Sequence, residues 1–284
     1  MENVLLSGFA DEISPDFKRQ IEVLNRLGMK YMEIRGVDKR GIDTYSEAEA
    51  REIKRRLDGG GISVSSLASP IGKIEITKEF SGHFEHFKHV VELAHILDTR
   101  YIRMFSFFIP EGARADDYRA QVFERMGAMV SYARTQEVVL LHENEKDIYG
   151  DSADRCRLLM DEFYGDSFRA VFDFANFIQC GQNVKRAYET LKPFIEYVHI
   201  KDARIADGTI VPAGEGDGRI GEILGDLISS GYRGFVSLEP HLTEFEGLKG
   251  LEREGASLQG MRKMDGEEAF TTAFNALGRI LKAL

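Results

Sequence analysis

The most informative segment of the chain reads Tyr197-Val198-His199-Ile200-Lys201-Asp202-Ala203. It begins as an apolar run and ends in an imidazole, an ammonium and a carboxylate. A buried strand needs apolar side chains along its length, so a polar cluster at its end indicates selection for something other than packing. Three other apolar runs also end in polar groups: Val138-Val139-Leu140-Leu141-His142-Glu143, Ala170-Val171-Phe172-Asp173 and Phe235-Val236-Ser237-Leu238-Glu239.

The polar groups that end these runs are regularly spaced. They are Glu143, Asp173, His199 and Glu239, and the intervals between them are 30, 26 and 40 residues. Each interval is close to one strand–helix–strand unit, which takes about 30 residues or more. If the units are consecutive, neighbouring strand ends bring four metal-type ligands to one place. Three carboxylates and one imidazole suit a hard or borderline divalent ion, Mn²⁺ or Mg²⁺, with Co²⁺ and Zn²⁺ as alternatives.

The rest of the chain repeats the same unit. The predicted strands are residues 4–6, 31–35, 62–67 and 101–105, followed by those that end at Glu143, Asp173, His199 and Glu239. Amphipathic segments separate them, and the second of these opens with the capping-box pair Ser46 and Glu49. Eight strands alternating with eight helices predict an α/β fold, the (β/α)8 TIM barrel. A doubly wound open sheet shares the alternation, but it usually has a glycine-rich phosphate loop after its first strand, and residues 8–12 are not one.

Length and spacing favour one domain. The chain has 284 residues, somewhat above the ~250 of a typical barrel of this kind. No segment marks a boundary, so we predict a single domain over residues 1–284. Residues 241–265 are polar and glycine-bearing, and we expect them to form a loop insertion between the eighth strand and the eighth helix. Long loops in compact domains are often functional, so this loop is a candidate lid.

Composition limits the class of function. Hydrophobic residues make up 43% and charged residues 30%, as in ordinary globular proteins. A net charge of −10, a pI near 5.3 and the lack of a basic run argue against a nucleic-acid partner, whose phosphates must be neutralised. The N-terminus has no basic signal-peptide region, no window approaches 18 consecutive apolar residues, and Cys156 and Cys180 suit a reducing compartment. We therefore expect a cytoplasmic protein without a membrane span.

Strand ends also supply candidates for substrate binding, because functional groups of a barrel lie at the carboxyl ends of its strands. Besides the four groups above, these ends carry Glu33, Arg35, Lys73, Arg103 and Lys201. The arginines and Lys201 could hold substrate hydroxyls or a phosphate, and they could equally pair with neighbouring acids.

Other histidines are weaker candidates. Three of them recur at three-residue spacing on the third predicted helix: His83, His86 and His89. Phe84 and Phe87 define the packed face of that helix, so we expect these imidazoles on the solvent side. His142 alternates away from Glu143 and should face the helix layer.

The order and spacing of these short motifs resemble the xylose-isomerase-like barrel superfamily. The motifs are Asp11-Glu12, the strand containing Glu33, Leu141-His142-Glu143-Asn144, Phe172-Asp173-Phe174-Ala175-Asn176, Val198-His199-Ile200-Lys201-Asp202 and Leu238-Glu239-Pro240-His241. Within it the chain is similar to sugar-phosphate isomerase/epimerase proteins, including ketose 3-epimerases, over nearly its whole length. The resemblance implies that one divalent ion is ligated by Glu143, Asp173, His199 and Glu239. It also implies that Glu143 and Glu239 face each other across the substrate as the acid/base pair.

The implied activity is isomerisation or epimerisation of a sugar or sugar phosphate through an enediolate. Removing a proton beside a carbonyl creates this enediolate, and a metal ion stabilises its charge. Epimerisation needs proton removal on one face and return on the other, so two carboxylates are the minimum apparatus. Asn176, where many ketose 3-epimerases carry histidine, and His241, close after Glu239, are further candidates for substrate binding. We expect one divalent ion, Mn²⁺ first, and a small sugar or polyol as partner; the sequence leaves the oligomeric state open between a monomer and a homo-oligomer, although such barrels often pair.

Three alternatives keep the barrel and change the activity. A keto-inositol dehydratase would use the same metal site, and its enolate would expel a β-hydroxyl. An abasic-site endonuclease would need a histidine-rich three-metal cluster and a basic surface, whereas this chain has seven histidines in all and a net charge of −10. A non-catalytic sugar-binding barrel would have no need of two opposed carboxylates.

Overall fold

The computed structural model describes residues 4–245 and 264–284. Within these ranges the parallel strands are β1 (Leu5–Gly8), β2 (Tyr31–Ile34), β3 (Ser63–Ala68), β4 (Tyr101–Met104), β5 (Val139–Glu143), β6 (Phe168–Asp173), β7 (Ile195–Ile200) and β8 (Phe235–Leu238). The helices that follow them are α1 (Phe17–Arg26), α2 (Glu47–Gly59), α3 (Ser81–Ile96), α4 (Arg119–Thr135), α5 (Ala153–Phe163), α6 (Val184–Leu191), α7 (Ile220–Ser229) and α8 (Gly266–Ala283). None of these helices is both long and apolar enough to cross a membrane.

The strands form a nearly closed parallel barrel, so the predicted (β/α)8 fold is confirmed. Hydrogen-bonded neighbours run in the order β1, β8, β7, β6, β5, β4, β3, β2. β1 and β2 stand at the two ends of this series and contact each other. The predicted capping box also forms, because Ser46 accepts from the N–H of Glu49 while the Glu49 carboxylate accepts from the N–H of Ser46.

Side-chain alternation divides the packing into two layers. The main apolar core lies between strands and helices and contains Leu140, Phe172 and Val198. A separate cluster contains Val139, Leu141, Val171 and Tyr197, packed with Tyr101 and Phe235. These residues alternate with those of the main core along the same strands, so they face the barrel interior. The side chain two residues after each of these interior residues lies on the same face of its strand, and at the carboxyl end it points into the mouth of the barrel.

Besides four short 3-10 helices, Ala10–Glu12, Ile42–Thr44, Ala115–Tyr118 and Lys192–Phe194, three described elements were not predicted from sequence. A short helix, Phe174–Gln179, directly follows β6, with Asp173 as its N-cap. Two small antiparallel hairpins pair Gly36–Val37 with Arg40–Gly41 and Asp202–Ala203 with Ile210–Val211. Residues 246–263 of the predicted lid lie outside the described residues.

Candidate active site

Four buried side chains converge at the carboxyl end of the barrel: Glu143, Asp173, His199 and Glu239. Each offers one ligand atom, and these atoms all lie within 4.8 Å of one another. None of the four residues is more than 2% exposed. Asp173 and His199 are register partners on β6 and β7; Ser237 pairs with His199, so Glu239 follows two residues further along, directly after β8 and on the same face as Ser237. The structure thus brings the four predicted ligands together.

This cluster has the ligand atoms of a divalent metal site, and one of its carboxylate oxygens lacks a hydrogen bond. Its ligand atoms are three carboxylate oxygens and one imidazole nitrogen, a set suited to hard and borderline divalent ions. The Oδ2 atom of Asp173 is buried and accepts no hydrogen bond, although Nζ of Lys201 lies 3.2 Å away. A buried carboxylate oxygen without a hydrogen bond has a lone pair that can bind a metal ion. The residues present therefore fit a divalent ion.

The imidazole of His199 is held between two carboxylates. Its Nδ1 lies 2.9 Å from Oε1 of Glu143, and its Nε2 lies 3.1 and 3.2 Å from the two oxygens of Glu33. Burial would lower the pKa of His199, but Glu33 and Glu143 outweigh it and raise the pKa well above its usual value. Glu33 was predicted to bind substrate; the structure places both of its oxygens on His199. Phe9 packs edge-to-face on the same imidazole, with ring centroids 5.2 Å apart.

Glu143 divides its two oxygens between the cluster and a cation. Oε1 faces His199, and it also accepts at 3.3 Å from the amide of Asn176, while Oε2 lies 3.3 Å from Nη1 of Arg103. Burial opposes ionisation, but His199 and Arg103 hold the pKa of Glu143 at about 2. The predicted substrate ligand Asn176 thus supports this carboxylate, and it also donates to the carbonyl oxygen of Asn144 at 2.9 Å.

Glu239 divides its oxygens in the same way. Oε2 accepts from Nζ of Lys201 at 2.9 Å, and Oε1 accepts from Nη1 of Arg35 at 3.1 Å. Arg103 approaches Oε1 as well, at 3.9 Å. Although burial would raise it, the pKa of Glu239 is held well below its usual value by Lys201 and by its histidine neighbours His241 and His199. Lys201, a predicted substrate clamp, therefore contacts two members of the cluster, Asp173 and Glu239.

Arg35 is the centre of a second buried group beside the cluster. Asp11 binds it in two places, Nε to Oδ2 at 2.8 Å and Nη2 to Oδ1 at 3.1 Å. Its Nη2 also donates to Oε1 of Glu12 at 3.1 Å. The imidazole of His241 lies on the same two acids, with Nε2 3.4 Å from Glu12 and 3.4 Å from Glu239, and this nitrogen has no hydrogen-bond partner. Together Glu12, Glu239 and His241 form a second set of metal-type donors.

The backbone of His241 explains how its side chain reaches this group. Its φ of 45° lies in the left-handed region, which is uncommon for residues other than glycine. The conformation is fixed by its N–H, which donates to Oε2 of Glu12 at 2.7 Å. Strain of this kind often occurs at functional sites. Lys73, the remaining predicted substrate ligand, lies at the edge of the mouth, where its Nζ is 3.2 Å from Oε2 of Glu145.

Sequence reasoning assigned no role in the site to Asp11, Glu12, Asn144 and Glu145, although the first three stood in motifs of the family resemblance. Asp11 and Glu12 follow β1 immediately, so the rule that sites lie at strand ends would have selected them. Asn144 was visible only as part of a motif. In the structure its side chain pairs with the backbone of Asp173 in both directions, at 3.0 Å each, and ties β5 to β6.

The other histidines stand outside the cluster. His142 is buried and bonds Oγ of Ser106 at 3.0 Å, and burial lowers its pKa to about 4. The predicted solvent exposure of the three α3 histidines is wrong, because all three are half-buried. Their partners are the N–H of Gly72 for His83, the Asp43 side chain for His86 and the Tyr45 carbonyl for His89. The helix packs them against neighbouring loops, which the periodicity of α3 alone does not show.

Comparison with known proteins identifies the family. The family model described as xylose isomerase-like TIM barrel matches residues 21–265, and the chain belongs to this family. No curated protein matches the sequence.

Solved structures share the whole fold. A D-psicose 3-epimerase determined in the presence of D-fructose is 17% identical, with a TM-score of 0.73 over 97% of this chain and 98% of its own. The IOLI protein with a binding zinc atom is 16% identical, with a TM-score of 0.71 over 99% of each chain. The apo 3-keto-D-glucoside 4-epimerase from E. coli is 12% identical, with a TM-score of 0.69 over 99% of this chain and 100% of its own. At these identities the likeness establishes the fold.

Proposed function

We propose that the protein is a divalent-metal-dependent isomerase or epimerase of a sugar or related polyol. One observation carries the proposal: Glu143 and Glu239 each direct one oxygen to the ligand cluster and the other to an arginine. A carboxylate that ligates through one oxygen keeps the second available for a proton. Two such carboxylates are what removal and return of a proton beside a carbonyl require. The names of two structural neighbours, both epimerases of sugars, agree with this chemistry.

In the proposed site Glu143, Asp173, His199 and Glu239 hold one divalent ion, with Mn²⁺ as the preferred ion. When bound, the ion supplies a positive charge that stabilises negative charge developing on the substrate carbonyl oxygen. Glu33 donates no atom to the ion; it fixes the orientation of His199 through Nε2.

The proton is moved by the two glutamates. One of them, ionised, takes the proton from the carbon beside the carbonyl, and the other, carrying a proton from solvent, gives it to the opposite face for epimerisation; the first then releases its proton to solvent. Arg103, which contacts both carboxylates, orients them. The amide of Asn176 and the ammonium of Lys201 donate to the oxygens that face the cluster, Oε1 of Glu143 and Oε2 of Glu239. A single base serving both steps would give aldose–ketose isomerisation with the same residues.

The test is solvent deuterium exchange. Protein loaded with Mn²⁺ or Co²⁺ is incubated in D₂O with a panel of ketoses, keto-inositols and hydroxypyruvate, and the products are analysed by NMR and mass. We expect deuterium at the carbon beside the carbonyl of at least one ketose. Loss of water from the product would make the protein a dehydratase, and absence of exchange across the panel would refute the proposal.

Conservative variants separate an enzyme from a binding protein. Glu143→Gln and Glu239→Gln keep the side-chain volume and remove the acid/base function. In an enzyme each should lower kcat by at least about 10²-fold, the usual contribution of general acid–base catalysis, with a smaller change in substrate affinity. Glu196→Gln, at the opposite end of β7, is the matched control and should keep wild-type turnover.

A further inference from the structure

Four basic side chains at the carboxyl end of the barrel are almost fully buried, and each contacts a carboxylate. Arg35 contacts Asp11, Glu12 and Glu239; Lys73 contacts Glu145; Arg103 contacts Glu143; and Lys201 contacts Asp173 and Glu239. None of these basic side chains is more than 8% exposed. Binding a phosphate group would therefore require breaking an existing buried ion pair, which is unfavourable because it leaves a carboxylate unpaired.

The carboxylates around these four cations outnumber them. The carboxylates that contact these cations or His199 are Asp11, Glu12, Glu33, Glu143, Glu145, Asp173 and Glu239. Once a divalent ion has displaced the protons of Asp173 and His199, the seven carboxylates, the four cations and the ion have a net charge of −1. A phosphate ester brings a charge of about −1.5 to −2 near pH 7. Such a ligand would enter a region that is still negative, whereas an uncharged ligand would not be repelled.

The N–H groups of the glycine-rich loop after β7, which could bind an anion, already donate to a carboxylate of the protein. Barrels of this architecture frequently bind phosphate through the loops after strands 7 and 8. Here the N–H groups of Gly214, Gly216 and Gly218 donate to the carboxylate of Asp202 at 2.8, 3.2 and 2.9 Å. A Cβ at Gly216 would lie 2.5 Å from that carboxylate, so the loop closes tightly around it. An internal carboxylate thus occupies the position that a phosphate would take in this loop.

We propose that the substrate is an uncharged polyhydroxy carbonyl compound and not its phosphate ester. The inference rests on the proposed function for the reaction, but the charge of the ligand follows from the pairing of the cations and of the loop N–H groups. The buried polar atoms without hydrogen-bond partners include Nε of Arg103 and Nε2 of His241. Each is an isolated atom that suits a single hydroxyl group, while a phosphate needs several convergent donors.

The first experiment measures binding without turnover. Calorimetry on the Mn²⁺-loaded protein compares matched pairs, such as D-fructose with D-fructose 6-phosphate and D-glucitol with D-glucitol 6-phosphate. In each pair of which at least one member binds detectably, we expect the uncharged member to bind at least tenfold more tightly. Equal or tighter binding of the phosphate ester would overturn the inference. D-Glucitol has no carbonyl group, so this order of affinities is independent of whether deuterium exchange, the test of the reaction, succeeds.

The second experiment opens the glycine-rich loop. Asp202→Ala removes the internal carboxylate, and inorganic phosphate should then raise the thermal midpoint of the variant, relative to chloride at equal ionic strength. Phosphate should leave the midpoint of the wild type and of the control Asp207→Ala unchanged. If Asp202→Ala does not fold, Asp202→Ser, whose shorter side chain also vacates the loop, takes its place. A phosphate-dependent rise in the wild type would show an available anion site and refute the inference.

Discussion

Replacing Glu33 should weaken metal binding without removing a metal ligand. Both oxygens of Glu33 lie 3.1 to 3.2 Å from Nε2 of His199, and both side chains are fully buried. With Nδ1 directed to the cluster, Nε2 carries the proton, and the Glu33 carboxylate fixes both the tautomer and the ring orientation. Loss of such a partner typically lowers metal affinity about 10–100-fold. This corresponds to about 1.4 to 2.8 kcal/mol at about 1.4 kcal/mol for each factor of ten.

Two substitutions at this position should differ in a defined order. Glu33→Gln keeps an oxygen that can accept from Nε2 of His199 and removes only the charge, so the loss should lie near tenfold. Glu33→Ala removes the acceptor and leaves a buried N–H without a partner, which adds a penalty of about 1–3 kcal/mol. The loss of metal affinity in Glu33→Ala should therefore approach the upper end of the 10–100-fold range, about 100-fold. Glu196→Gln is the control. Glu196 lies on β7, the strand of His199, and its carboxylate contacts Tyr101 and Arg169 at the other end of the barrel.

The assay is a Mn²⁺ titration by calorimetry or against a chelating dye, with circular dichroism to confirm that each variant is folded. Turnover should recover at saturating Mn²⁺ if Glu33 acts only through the metal ligand. Wild-type affinity in Glu33→Ala would refute the assigned role of Glu33. So would an equal loss in Glu196→Gln, because that result would point to a general weakening of the barrel.

Three further predictions test the metal site and the loop beside it. His199→Ala should lose metal occupancy first and activity as a consequence; full metal content in this variant would refute the ligand assignment. Burial raises the pKa of Asp173 to about 7, and metal binding must displace this proton and the one on His199, whose pKa is also raised, so Mn²⁺ affinity should fall by up to about a hundredfold per pH unit below pH 7; a flat profile between pH 8 and 5.5 would contradict this. Gly216→Ala should destabilise the protein by about 1–3 kcal/mol, because its Cβ would lie 2.5 Å from the Ala203 carbonyl and the Asp202 carboxylate, and thermal or urea unfolding measures the loss.

The barrel and its ligand cluster could be predicted because both depend on local periodicity. Each ligand is the last inward-facing residue of an apolar strand, so alternation and chain order were enough to place Glu143, Asp173 and His199 together. The short helix Phe174–Gln179 was missed for a physical reason. All but one of its residues are buried, so it shows no amphipathic pattern.

The contacts around the cluster could not be predicted, because they join residues far apart in sequence. Glu33 follows an irregularity in the pairing of β2 with β3, and its contact with His199 spans 166 positions. Arg35 could be assigned from sequence either to substrate or to acids. The choice depends on Asp11 and Glu12, which reach it only because β1 lies beside β2 when the barrel closes.

The network around Arg35 also supports the proposal of one ion instead of two. Glu12, Glu239 and His241 have the donor atoms for a second ion, and Glu239 could bridge both positions. The guanidinium of Arg35 lies 3.1 Å from Oε1 of Glu12 and 3.1 Å from Oε1 of Glu239, so it already supplies positive charge to these oxygens. Adding a divalent ion beside it would place two cations in contact in a buried region, where their repulsion is poorly screened. Arg35 therefore keeps Oε1 of Glu239 ionised and uncoordinated, which is the state that a proton-transferring carboxylate needs.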